Sequence, residues 1–173
     1  MSNIFIGMLL VFLDFNLNVG NSTIGLIPDF IGYFIMTKGI IELSSESSNF
    51  SKVIPIAKGM IIYAGSIYLM DLLGISYSLG IITYILGLIS TVASLYISYH
   101  VVIGIGDIER QTSKVLNAEL LFRAWKVMAI FSVIMYLLIF IPLLAIFGVL
   151  TGLGVSIYYL VVFNRSKNLY YSE

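Results

Sequence analysis

A chain of 173 residues with a mean hydropathy of +1.04, 60% hydrophobic residues and only 10% Asp, Glu, Lys and Arg falls far short of the charge of a soluble globular domain, about 25%. A single core of this size could not take up so much apolar surface. Nine basic side chains balance nine acidic ones, which leaves no excess for nucleic acid. The same composition excludes disordered chains, and the class that remains is an all-α, polytopic membrane protein, one integral domain over residues 1–173.

A bilayer core of about 30 Å takes roughly 20 helical residues at 1.5 Å each, and the charges divide the chain on that scale. The first apolar segment covers about 4–18. It lacks the basic start and small-residue cleavage site of a signal peptide, so it is expected to be retained, and its shortness also suits an interfacial or partly re-entrant segment. The loop Asn18–Thr23 follows. The second segment, about 27–43, begins at Pro28-Asp29, with Pro at the first helical position and an acid at the positive end of the helix dipole. It ends before the polar linker 44–49. Between Lys58 and Asp107 the only charge is Asp71, which gives two spans, about 52–73 and 78–105, turning at Gly74–Ser78. The uncharged stretch between Lys126 and Arg165 is 38 residues long, about 57 Å as helix. It is therefore read as two spans, about 118–140 and 143–164, turning near Pro142.

With six spans, one side of the membrane receives both termini and the linkers 44–52 and 106–118. Lys38, Lys52, Lys58, Arg110, Lys114, Arg123, Lys126, Arg165 and Lys167 all fall on that side or in the adjoining helix ends. The positive-inside rule makes it cytoplasmic. The opposite side carries Asp14, Asp29 and Asp71.

Helices in lipid associate through close backbone approach at small residues. Gly25, Gly32 and Gly39 recur every seven residues, as do Gly80, Gly87 and Ser94, while Gly148 and Gly152 form a GxxxG pair continued by Ser156. Each stripe reads as a packing groove, and Gly148/Gly152 is in addition a candidate homo-oligomer face.

Intramembrane acids are functional candidates because their burial is costly. Asp14, Asp29 and Asp71, with Asn16 adding polar lining, form a candidate outward binding pocket for a cationic or polyhydroxyl solute or a divalent ion. Asp29 also has a purely structural role as a helix-start residue. Gly104-Ile105-Gly106-Asp107 reads as the GxGD pattern around one aspartate of intramembrane aspartyl proteases. That chemistry needs a second carboxylate sharing the site, and the other aspartates are expected at the opposite face. His100, the only histidine, is expected near the cytoplasmic end, where it could pair with Asp107 along one helix face but not join the outward acids. With no cysteine, P-loop, HExxH, GxSxG or dinucleotide fingerprint in the chain, no metal, cofactor or catalytic residue is expected. Arg123, Trp125 and Lys126 mark an amphipathic helix entry suited to anionic headgroups or to a cytoplasmic protein partner.

Asp14-Phe15-Asn16 followed by Ile24-Gly25-Leu26-Ile27-Pro28-Asp29-Phe30-Ile31-Gly32-Tyr33 resembles the opening of a group of small multi-spanning membrane proteins of low-GC Gram-positive bacteria, in which a helix begins at a similar I-P-D-F-I-G-Y string. The resemblance covers about the first 45 residues. It implies a bacterial plasma-membrane location and a helix start at Pro28, and no activity. The function expected is non-enzymatic: a small solute-handling protein, or the membrane partner subunit of a larger complex. An aspartyl-type intramembrane enzyme around Asp107 is the alternative class. In length and helix number the chain is also similar to substrate-binding subunits of energy-coupling-factor transporters, although it lacks their alanine-repeat helix motif.

Overall fold

The structure, a computed structural model, describes residues 1–13, 16–19, 22–25, 27–75, 79–138 and 141–172, excepting the side chains of 16–19, 22–25, 137, 142–146 and 149. Six helices form among the described residues: α1 (Ser2–Phe12), α2 (Asp29–Glu42), α3 (Ser48–Leu72), α4 (Ile81–Thr112), α5 (Ala118–Leu138) and α6 (Pro142–Tyr171). A short antiparallel hairpin, β1 (Asn16–Val19) and β2 (Ser22–Gly25), lies between α1 and α2 and pairs Asn16 with Gly25 and Val19 with Ser22. Of the helices, α3 and α4 are long and apolar enough to cross a membrane.

The helices fall on the six expected segments, but several ends differ. The first helix stops at Phe12 rather than near residue 18, and part of the expected loop is the β-hairpin, which qualifies the all-α expectation. Asn16, Asn18 and Gly20 are poor helix formers, whereas Val19, Thr23 and Ile24 are β-branched and suit extended backbone. Pro28 caps α2 in extended conformation, and the helix proper begins at Asp29. The third helix starts at Ser48, four residues before the expected span, because the Ser47 hydroxyl accepts the Asn49 backbone N–H at 3.2 Å as a helix cap. The fourth continues to Thr112, so Asp107 stands inside a helix and not at the start of a linker. Its polar extension is held because Glu109 Oε2 accepts the backbone N–H groups of Leu116 and Ala118 at 3.0 and 2.8 Å, tying the end of α4 to the start of α5. Residues 76–78 of the expected turn lie outside the described residues.

Each helix packs on its neighbours in sequence, and α6 returns to α1. Between α1 and α2 the backbones themselves come close. A Cβ at Gly7 would lie 2.5 Å from Met36 Cβ and 2.6 Å from the Gly32 carbonyl, and one at Gly39 would lie 2.6 Å from the Ile4 backbone nitrogen. Gly32 and Gly39 thus act as the spacing predicts, Gly32 against Gly7 and Gly39 against Ile4 of α1; Gly25, the third member of that stripe, belongs to β2 instead. Along the α1–α6 contact, Phe5 stacks on Phe163 and Phe12 meets Tyr159 edge-on.

One end of the bundle is closed by polar ties. The Met1 ammonium donates to Tyr171 Oη at 3.0 Å, Asn3 Nδ2 to Glu42 Oε1 at 2.7 Å, Tyr170 Oη to Glu46 Oε1 at 2.6 Å and Ser47 Oγ to Asp107 Oδ2 at 2.5 Å. The N-terminus, the end of α6, the α2–α3 linker and the end of α4 therefore meet. The packed core belongs to the same half. Tyr33, Phe50, Ile97, Val101, Ile105, Leu121, Met128, Tyr159 and Phe163 are all buried. Beyond them, in α4 before Ile97, α5 after Met128 and α6 before Tyr159, Gly148 alone is buried among the described residues. The far half is open and apolar: Ile81 is 74% exposed, Leu150 67% and Phe147 63%. The accessible surface of 9555 Å² exceeds the roughly 8,400 Å² expected of a compact soluble monomer of this mass, as such a splayed half requires.

Candidate functional site

Four regions carry the polar side chains. At the closed end, Asp107 accepts hydrogen bonds from Ser47 Oγ at 2.5 Å and Asn49 Nδ2 at 2.8 Å, and pairs with Arg110 Nη2 at 3.0 Å. Asn49 Oδ1 lies 3.0 Å from His100 Nδ1, and the rings of Tyr96 and Tyr99 flank the imidazole. Burial pushes the Asp107 carboxyl up, but the Ser47 and Asn49 hydrogen bonds and the charges of Arg110 and Lys52 outweigh it and hold the group below its ordinary value. Asp107 and His100 are thus linked as their helix spacing suggested, but through Asn49. A nucleophilic triad places the base between hydroxyl and acid. Here Ser47 bonds the acid directly and an amide separates acid from imidazole, so the arrangement fastens the start of α3 to α4 without activating the serine. The groups hydrogen-bonded or ion-paired to Asp107 are a hydroxyl, an amide and a guanidinium, not the second carboxylate that aspartyl chemistry uses. Ser47 and Asn49 had a sequence signal, a cap residue just before an apolar run, concealed within a serine-rich linker.

The second region is the expected outward acidic group. Asp29 opens α2 with one carboxylate oxygen, Oδ1, buried. Next to it, the Phe30 ring meets Tyr68 of α3 at 5.9 Å, and Asp71 stands one turn farther along α3. The β2 strand also packs on α3, so the hairpin, the start of α2 and the last turns of α3 share one region. Asp14 lies outside the described residues, as does the Asn16 side chain. One turn along α2 from Asp29, the buried Tyr33 shares a 2.5 Å hydrogen bond with Ser94 of α4.

At the entry of α5, the predicted docking residues divide. Arg123 is exposed and pairs with Glu119 at 2.5 Å, and Lys126 lies 4.8 Å from the Phe122 ring centroid. Trp125 turns inward: its indole N–H donates to Ser98 Oγ at 2.9 Å, and its ring stacks parallel to Phe122 and beside Tyr99. It joins α5 to α4 while the two cations face outward.

Farther out, α4 and α6 both pack on α5 around a cleft of about 240 Å³ floored by Met128. Thr91 of α4, Ser132 and Tyr136 of α5 and Ser156 of α6 supply hydroxyls, with Phe131, Met135 and Val155 between them. Thr91 Oγ1 and Tyr136 Oη share a 3.0 Å hydrogen bond, Ser132 Oγ donates to the Met128 carbonyl at 2.9 Å and Tyr84 Oη donates to the Tyr136 carbonyl at 2.7 Å. Gly148 and Gly152, the GxxxG pair, form the α6 wall. A Cβ at Gly148 would overlap the Met135 thioether, and one at Gly152 would lie 3.1 Å from Phe131. That face is therefore occupied by α5 of the same chain. Among the described residues no group of three His, Cys, Asp or Glu side chains could hold a metal ion. No protein-family model matches the chain, and neither does any curated protein or solved structure.

Proposed function

We propose that the chain is an integral protein of a bacterial plasma membrane with six spans and both termini in the cytoplasm, and that it handles a small solute through its outward half without catalysing a reaction. The observation that carries this reading is the contrast between the two halves of the bundle. The closed half gathers Met1, both inner linkers and the end of α6 together with the basic side chains, as the positive-inside rule asks of a cytoplasmic end. The open half exposes apolar side chains suited to a lipid surround, around polar groups carried on α2, α3 and α4. Arg123 and Lys126 then face anionic headgroups, with Trp125 fixing the helix entry behind them.

The absence of cysteine makes the test direct. Single cysteines at Ser22 and at Ser48, in separate variants, are exposed in intact cells to a membrane-impermeant maleimide. Labelling at Ser22 alone is the expected result. Labelling at Ser48 alone inverts the orientation and moves the search for function to the basic linkers. For the role as a partner subunit, purification from native membranes supplies the readout: a stoichiometric ATPase would make the chain a transporter component, and a lone monodisperse species favours the self-contained solute-handling reading.

A further inference from the structure

We propose that the cleft between α4, α5 and α6 binds an uncharged small molecule with an apolar body and one or two hydrogen-bond donors. This rests on the solute-handling reading but not on its orientation. The size comes first: about 240 Å³ is the liquid volume of roughly eight waters, below the 300 Å³ at which pockets for drug-sized ligands begin. The charge follows from the sequence, since α4 is uncharged as far as Gly106 and the chain is uncharged from Val127 to Asn164. An ion in this cleft would lie in a low dielectric with no counter-charge on the stretches of α4, α5 and α6 that line it. Polarity comes from the hydroxyls. Ser132 has committed its proton to the Met128 carbonyl, and Thr91 and Tyr136 share one hydrogen bond. A hydroxyl oxygen has two acceptor lone pairs, so the walls keep accepting capacity that an alkyl chain would leave unused and that a ligand O–H or N–H would satisfy. The glycines of α6 let that helix approach α5 closely, because side chains there would run into Met135 and Phe131.

The probe is azioctanol, an aliphatic alcohol carrying a photoreactive diazirine, applied to the purified full chain in nanodiscs and read by peptide mass spectrometry. Saturable labelling of the α5 segment around Phe131–Tyr136 and of α6 near Ser156, displaced by excess octanol and not by octane, is expected. Ser156→Phe fills the cleft and should abolish the saturable component. Tyr136→Phe should raise the half-saturating concentration roughly three- to tenfold, the range for one hydrogen bond between uncharged groups. Unsaturable label spread over lipid-facing Ile130 and Leu150 overturns the proposal, as does displacement by octane equal to that by octanol. So does saturable labelling unchanged in a monodisperse Ser156→Phe protein. Loss of labelling beside an intact cysteine map rejects the cleft alone, and a reversed cysteine map beside saturable labelling rejects the orientation alone.

Discussion

Asp107 ties the start of α3 to the end of α4 at the closed end. Its carboxylate satisfies Ser47 and Asn49 together and pairs with Arg110. Replacing it by alanine strands two partly buried donors, each costing about 1–3 kcal/mol where water cannot reach them, so a clear fall in thermal stability of the detergent-purified protein is expected. The pH dependence has a definite sign. The folded carboxyl titrates below its ordinary value of 3.8, so its contribution is complete above that value and lost as pH falls through the lower folded value. Asp107→Asn should flatten this acid limb in melting curves taken at successive pH values. Tyr170 shows the opposite case: burial first, then the hydrogen bond to Glu46 and its charge, push the phenol up to about 12. Its contribution is complete below the ordinary tyrosine value of 10 and lost as pH rises toward 12. A phenolate absorbance titration should therefore lose a late-titrating tyrosine in Tyr170→Phe. The sequence alone puts His100 and Asp107 on one face of α4, because helix spacing is a local property. It could not name Asn49 as the group between them, because that contact depends on where the α2–α3 linker returns.

Among the helices, glycine has two separate meanings. Gly7 and Gly39 sit where two backbones touch, and Gly59 and Gly154 face open space. Gly7→Ala or Gly39→Ala must push α1 from α2, an overpacking penalty of about 1–3 kcal/mol. Gly59→Ala and Gly154→Ala should instead be neutral or stabilising by up to about 1 kcal/mol through helix propensity. Denaturation of the four variants in one detergent checks the ranking. The seven-residue spacing of Gly32 and Gly39 was legible in the sequence as a packing stripe. Its partner Gly7 was not, since a lone glycine carries no period. Trp125 shows the same limit. Arg123 and Lys126 flank it in the sequence, which suggests an outward docking face, yet the indole reaches Ser98 on the preceding helix. Ser98→Ala should cost about 1 kcal/mol and shift the emission of the only tryptophan.

Taken whole, the molecule closes between its first and last helices. Truncation after Leu169 removes the acceptor of the Met1 ammonium and the donor to Glu46. The first sign should be faster proteolysis at the α1 end, with the α4–α5 contacts and Trp125 emission retained. Composition alone pointed to a membrane protein, because a soluble core of this size cannot absorb so much apolar surface, and α3 and α4 are long and apolar enough to cross a bilayer. The spacing of charges determined the number of helical segments and their approximate places, because helix rise converts residues directly into bilayer thickness. The tertiary structure decided the rest: the β-hairpin after α1, the extension of α4 and α6 beyond their apolar stretches, a core confined to one half and a cleft walled by hydroxyls from three helices. Those features depend on which faces meet, and hydropathy is nearly the same on every face of helices such as α4 and α6. Contacts between residues far apart in the chain had to choose among them.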